Sequence, residues 1–249
     1  MKRLYLYCII KRNSLEKFSA RGESAFDGKM KGIDGGEIYT INQDKLSIIV
    51  SDAEVKEYLP TRENLTTHQK VVEEILKEYT LLPISFGTII PTDKEARELL
   101  KNKKKEFLKA FKKIEGKIEL SLKVFWQNMS AIFEEIVKEN KEIQKAKAQG
   151  AVSRNMMLRV GEIVAKDLEK KKDKESALIL GPLLAIAQEV KKNELLRDDM
   201  ILNANFLIKR KKEKDFDKEI DELGEKYSQR LKFKYIGPNP PYSFVDLKI

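Results

Sequence analysis

The stretch GKIELSLKVFWQ, residues 116–127, carries the reading of the whole chain. Ile118, Leu120, Leu122, Val124 and Trp126 alternate strictly with Glu119, Ser121, Lys123, Phe125 and Gln127. That is the period of a strand turning one face to a core. Gly116 breaks the helix before it, so a second unit opens here and the chain divides into two α+β halves.

Working back from Gly116, Thr92 and Glu95 form a capping box. Ala96, Leu99, Leu100, Phe107, Leu108 and Phe111 mark one face of the helix it opens, and Lys101, Lys103, Lys104, Lys105 and Lys112 the other. Leu81 to Ile90 is β-like but contains Pro83, so it is an edge strand or a strand broken by a bend. A second capping box, Thr66 with Gln69, predicts a helix striped by Val71, Val72, Ile75, Leu76 and Tyr79. Glu37–Ile41 and Leu46–Ser51 predict a hairpin across residues 42–45. Arg3–Ile10 predicts a strand, followed by a polar loop through Gly22, Gly28 and Gly32. The first half is β-ββ-α-β-α.

Working forward, three helical segments are expected. Met129, Ile132, Phe133, Ile136 and Val137 stripe the first; Met156, Met157, Val160, Ile163, Val164 and Leu168 the second, beyond Gly150. The third runs from about Ser176 to Lys192 and contains Pro182. Met200–Lys209 is β-like, Lys211–Tyr227 is an amphipathic helix, and Arg230–Ile236 alternates as a strand. The second half is β-ααα-β-α-β, and strands joined by helical crossovers suit a ferredoxin-like sheet with an elaborated first crossover. The domains are placed at 1–114 and 115–236, with the Pro-rich, non-helical segment 237–249 as a tail packing on the body.

The 49 Lys and Arg against 40 Asp and Glu give a charge of +9, yet lysines and glutamates are interspersed on helix faces, as on a solvated coat. A nucleic-acid-binding module is the alternative that this charge raises. Lys232-Phe233-Lys234-Tyr235 has the basic and aromatic residues for it, but alternation sends the two kinds to opposite faces. The longest nearly uncharged run, Ala177–Ala187, falls short of the roughly 20 residues that span a bilayer, and the start of the chain lacks a signal-peptide pattern, so a cytosolic protein with no membrane segment is expected.

Reactive groups are few. One Cys and one His exclude a disulfide framework and a thiolate–imidazole zinc site. His68 sits near the start of its predicted helix, where a structural hydrogen bond is the commoner role, and Cys8 and Ser85 lie in apolar strands. Gly28–Gly36 lacks the order of a phosphate loop and leads into a strand. No enzyme, cofactor, metal or small-molecule substrate is expected. Asn203 and Asn205 in a β-like run need amide partners if buried, or mark an interface. The tail, with Tyr242 and Phe244, suits either a structural clasp or a partner-binding segment.

Several segments together resemble one family: Tyr5-Leu6-Tyr7; Gly32-Ile33-Asp34-Gly35 with Val50-Ser51; His68 to Val72 with Leu82-Pro83 and Phe86-Gly87-Thr88; Asn203-Ala204-Asn205-Phe206-Leu207; and Gly237-Pro238-Asn239-Pro240-Pro241-Tyr242-Ser243-Phe244-Val245. In order and over nearly the whole chain they look like the gas vesicle proteins of the GvpF/GvpL family. Cys8 stands where that family commonly has Gly, and Asn205 where it has a small residue. The resemblance implies a two-domain α+β accessory protein with a ferredoxin-like C-terminal domain, in the cytoplasm and at the gas vesicle. It implies partners in the hydrophobic major shell protein and other gas vesicle accessory proteins, without nucleic acid or membrane. On that footing, the shell-binding surface is expected near Phe86, Gly87 and Thr88 or Tyr242 and Phe244, with Asn203 and Asn205 as further partner-binding positions.

Overall fold

The computed structural model describes residues 3–11, 30–55, 57–148, 154–245 and 247. Gly22, Gly28 and Gly150 fall outside these residues. The chain forms two compact units, Met1–Glu119 with Pro238–Ile249, and Leu120–Gly237.

The N-terminal unit is organised around β1 (Arg3–Lys11). β2 (Ile38–Gln43) and β3 (Leu46–Ala53) form the expected antiparallel hairpin. Its reversal at Asp44-Lys45 holds Asp44 at φ 53°, a conformation that Asp tolerates better than most residues. The sheet order is β2-β3-β1-β4, where β4 is Leu81–Pro83; β5 (Ile89–Ile90) also pairs with β1. The segment around Pro83 is thus two short strands separated by a bend.

β1 shows no polar alternation because both its faces are covered. Leu4, Leu6 and Ile9 share a core with Ala96 and Leu100 of α2 (Asp93–Asn102) and Phe107 and Phe111 of α3 (Lys104–Ile114). Tyr5, Tyr7, Cys8 and Ile10 share the other with Val71, Val72 and Ile75 of α1 (Arg62–Glu78). The change from even to odd positions follows from a β-bulge: Leu6 pairs with Val50 and Cys8 with Ile49, so Tyr7 is the extra residue.

Two helix expectations need correction. α1 begins four residues before Thr66, capped by Thr61, whose side chain accepts from the Asn64 N–H at 3.2 Å. Apart from Leu65 its first turn is polar, and it is largely exposed, so one apolar residue alone marks it, and His68 becomes the seventh helical residue rather than the second or third. The helix opened by Thr92 does use that cap, at 3.3 Å from the Glu95 N–H, but it is interrupted at Lys103 into α2 and α3. Gly116, at φ 68°, supplies the left-handed residue beyond the end of α3.

The C-terminal unit has a four-stranded sheet of order β7-β8-β6-β9. These are β6 (Lys117–Trp126), β7 (Glu189–Lys192), β8 (Met200–Lys209) and β9 (Leu231–Asn239). Between β6 and β7 lie α4 (Met129–Glu139), α5 (Lys141–Ala148) and α6 (Arg154–Ile186). The second and third predicted helices are one: Leu168, Lys172, Ser176, Ile179 and Leu183 continue a single buried face, and Pro182 lies inside the helix. The expected extension to Lys192 is wrong. α6 ends at Ile186, and β7 pairs antiparallel with β8 from Glu189↔Leu207 to Lys192↔Ala204. The sequence EVKK has little strand character of its own, so the free edge of β8 decides its conformation.

α7 (Glu213–Lys226) completes this unit, with Phe216 packed edge-on against Phe206 of β8 at 5.1 Å. Burying such a ring stabilises by about 1.5–3 kcal/mol. The non-helical tail needs a small amendment: β9 extends to Asn239, and Tyr242–Phe244 forms one 3-10 turn.

Candidate functional site

Several of the singled-out residues meet on the α1 side of the N-terminal sheet. Strand alternation sends Tyr5 and Tyr7 into one core and the bulge adds Cys8 to it, with Tyr5 and Tyr7 5.0 Å apart between ring centres. His68 stacks on Tyr7 at 5.6 Å and meets Phe86 edge-on at 5.9 Å. The Tyr5 hydroxyl accepts the Gly87 N–H at 3.1 Å and lies 3.0 Å from His68 Nδ1.

Burial holds His68 neutral, pushing its pKa down to about 4 against a smaller opposing effect of the Ile84 backbone. The same desolvation raises Tyr5, Tyr7 and Tyr242 and places Cys8 well above the ordinary thiol range. These are groups that stay protonated or neutral. Such an arrangement suits packing and recognition, whereas nucleophilic chemistry needs an activated thiolate or hydroxyl.

A second polar chain fixes the loop before β2. The Tyr7 hydroxyl shares a hydrogen bond with Ser51 Oγ at 2.9 Å and accepts the Ile33 N–H at 2.8 Å. A Cβ at Gly32 would stand 2.4 Å from the Tyr7 hydroxyl, so only glycine fits there. Tyr58 donates to Asp34 at 2.5 Å; burial first, then this bond, pushes its pKa up to about 12.

Phe86, Gly87 and Thr88 each have a structural task. Phe86 packs on Tyr5 and His68, Gly87 adopts φ 83°, and Thr88 closes the turn by donating its hydroxyl to the Ser85 carbonyl at 2.8 Å. The space around Gly87 is open, so backbone conformation rather than close packing explains this glycine.

The C-terminal segment belongs to the same unit. The Tyr242 hydroxyl points inward, 3.5 Å from His68 Nε2, while 41% of the residue remains exposed. Ser243 donates its backbone N–H and its hydroxyl to the Glu119 carboxylate at 2.8 and 2.7 Å. Phe244 is buried, with Lys113 Nζ 5.8 Å from its ring centre. Only strand alternation marks Glu119, placing it on the face opposite Leu120; nothing in the sequence signals that the residue is 4% exposed and that its carboxylate receives the tail.

Asn203 and Asn205 do not join this cluster. They lie on β8 of the C-terminal unit, where Asn203 donates to the Glu194 carbonyl at 2.8 Å. That unit has its own polar centre. Arg230 makes paired contacts to Glu135 of α4 at 2.7 and 2.9 Å and to Glu175 of α6 at 2.7 and 3.0 Å. Hydrogen bonding to Arg230 outweighs desolvation and lowers the Glu135 pKa to about 2. Lys171 adds a contact to Glu135 at 3.0 Å, and Trp126 donates its indole N–H to Glu175 at 2.8 Å. Among the described residues, no group of three or more His, Cys, Asp or Glu side chains is placed to hold a metal, and no helix is long and apolar enough to cross a membrane.

Comparison with known proteins gives the same picture along the chain. The gas vesicle protein F of Nostoc sp. strain PCC 7120 is 26% identical over 224 residues, spanning 88% of this chain and 91% of that protein. The gas vesicle protein F1 of Halobacterium salinarum is 27% identical over 250 residues, spanning 99% and 94%. The crystal structure of GvpF from Anabaena sp. PCC7120 superimposes with a TM-score of 0.84 at 25% identity, covering 100% of this chain and 98% of that one. A family model described as gas vesicle synthesis protein GvpL/GvpF matches residues 3–246, and the chain belongs to that family.

Proposed function

We propose that this protein is a non-enzymatic accessory factor of gas vesicle formation, acting in the cytoplasm and at the vesicle. It binds the hydrophobic major shell protein, together with other accessory proteins, and assists nucleation or growth of the shell. We also read its C-terminal unit as ferredoxin-like, since the order β6, three helices, β7, β8, α7, β9 and the sheet order β7-β8-β6-β9 have that topology with a lengthened first crossover.

One observation carries the shell-binding reading. The apolar stripe of α1 continues past its core, leaving Leu65 42% exposed one helical turn before His68, and Tyr242 reaches the same histidine from the tail with 41% of its surface uncovered. Partly uncovered apolar side chains that each lead to His68, on a charge-rich protein, suit an apolar partner. Phe244 and Gly87 serve the fold that presents them.

Pull-down of shell protein by wild type and by Leu65→Glu/Tyr242→Ala tests this, with melting temperatures measured in parallel. Capture should fall strongly while the melting temperature changes little. Undiminished capture by a folded variant excludes this surface.

A further inference from the structure

A cleft of about 340 Å³ opens in the C-terminal unit between the end of β6, the approach to β8 and the start of β9. Phe125 forms its floor and is only 7% exposed, because the Arg197 guanidinium and the Lys234 ammonium each stand 5.5 Å from its ring centre. Lys232, two residues before Lys234 on the same side of β9, lines it as well. Arg197 is already engaged by both oxygens of Asp199 at 2.9 and 2.6 Å. Lys232 and Lys234 have no carboxylate partner among the described residues.

Three cations against one carboxylate leave the cleft at 3 − 1 = +2. Water screens the repulsion among them, and an anion seated between them would replace that water with a favourable contact. The shape of the cleft selects among anions. Both faces of usefulness to a base are closed: Phe125 is capped by two cations, and Trp126 is buried with its N–H committed to Glu175. Single-stranded nucleic acid relies on open rings for stacking and finds none here. An extended polypeptide matches better, because its same-side residues repeat at roughly 7 Å, as Lys232 and Lys234 do along β9.

We propose that this cleft docks an extended acidic segment of a partner protein, with carboxylates two residues apart seated on Lys232 and Lys234. The site lies in the other unit from the apolar surface of α1 and the tail and is independent of it.

The test is fluorescence anisotropy with a short dye-labelled peptide of alternating Glu and Ser, using the full-length chain. The peptide should bind, lose affinity with added salt, and bind about tenfold more weakly to Lys232→Glu/Lys234→Glu. Lys94→Glu/Lys105→Glu, which changes net charge equally from exposed helix positions of the N-terminal unit, should retain wild-type affinity. Equal loss in both variants would show attraction to overall charge and overturn the site. So would absence of binding, or tighter binding of an oligothymidylate that the Lys232/Lys234 variant abolishes. Melting temperatures of both variants guard against unfolding, and Lys232→Gln/Lys234→Gln gives an intermediate affinity if charge is the cause.

Discussion

In the N-terminal unit the sheet is covered on both faces, and the polar side chains on its α1 face are neutral. Tyr5, Tyr7, Ser51 and His68 satisfy one another through hydrogen bonds. In the C-terminal unit the polar centre beside the sheet is charged, with Arg230 between Glu135 and Glu175 and part of each group in contact with water. A neutral network tolerates full burial because little charge is desolvated; a charged one keeps its ions near the surface, where solvent offsets the desolvation. The two units should therefore answer differently to pH and to salt, and each carries a natural reporter, the chain's one His in the first and its one Trp in the second.

The largest expected difference is in acid. His68 has a folded pKa of about 4 against an ordinary value of 6.5, so the unfolded chain binds the proton first. The contribution of neutral His68 is complete above pH 6.5 and is lost as pH falls toward 4, by about 3 kcal/mol. Hydrogen exchange of β1 amides should show this loss, and His68→Gln should flatten the slope in that window. An NMR titration of His68 with a midpoint near 6.5 would falsify the neutral network. Glu135 titrates lower: its contribution is present above 4.5 and lost as pH falls toward about 2, and Trp126 fluorescence should follow that second step.

Arg230→Met ranks next. It leaves Glu135 and Glu175 without their shared guanidinium, and the expected loss is about 1–3 kcal/mol after allowance for solvent exposure. Denaturant unfolding followed by Trp126 measures it, and an unchanged midpoint would show the ion pairs to be energetically idle. Tyr7→Phe should cost about 1–2 kcal/mol, since the Ile33 N–H and Ser51 lose their partner while the ring still fills the core. Its readout is exchange of the Ile33 amide. The smallest effect is that of salt. Raising sodium chloride should lower the stability reported by Trp126 by up to about 1 kcal/mol and leave exchange of the β1 amides nearly unaltered. Equal responses would erase the distinction between the units.

The sequence by itself determined the α+β class, the break at Gly116, the hairpin across residues 42–45, the Thr92 cap and the alternation of β6 and β9. These are local: a period of two, a capping side chain or a left-handed glycine acts within a few residues. It also marked Tyr242 and Phe86 as residues to watch, through resemblance. Tertiary structure decided the rest. β7 exists because β8 offers it an edge, and α6 runs unbroken because Leu168, Lys172, Ser176 and Ile179 find one continuous surface. Cys8 and Ile10 enter the His68 core beside Tyr5 and Tyr7 because a bulge shifts the register of β1 by one residue. Glu119 receives two hydrogen bonds from Ser243, 124 residues away. No local pattern encodes such pairings, since the free energy that selects them comes from burial and hydrogen bonding between segments that meet only in the folded chain.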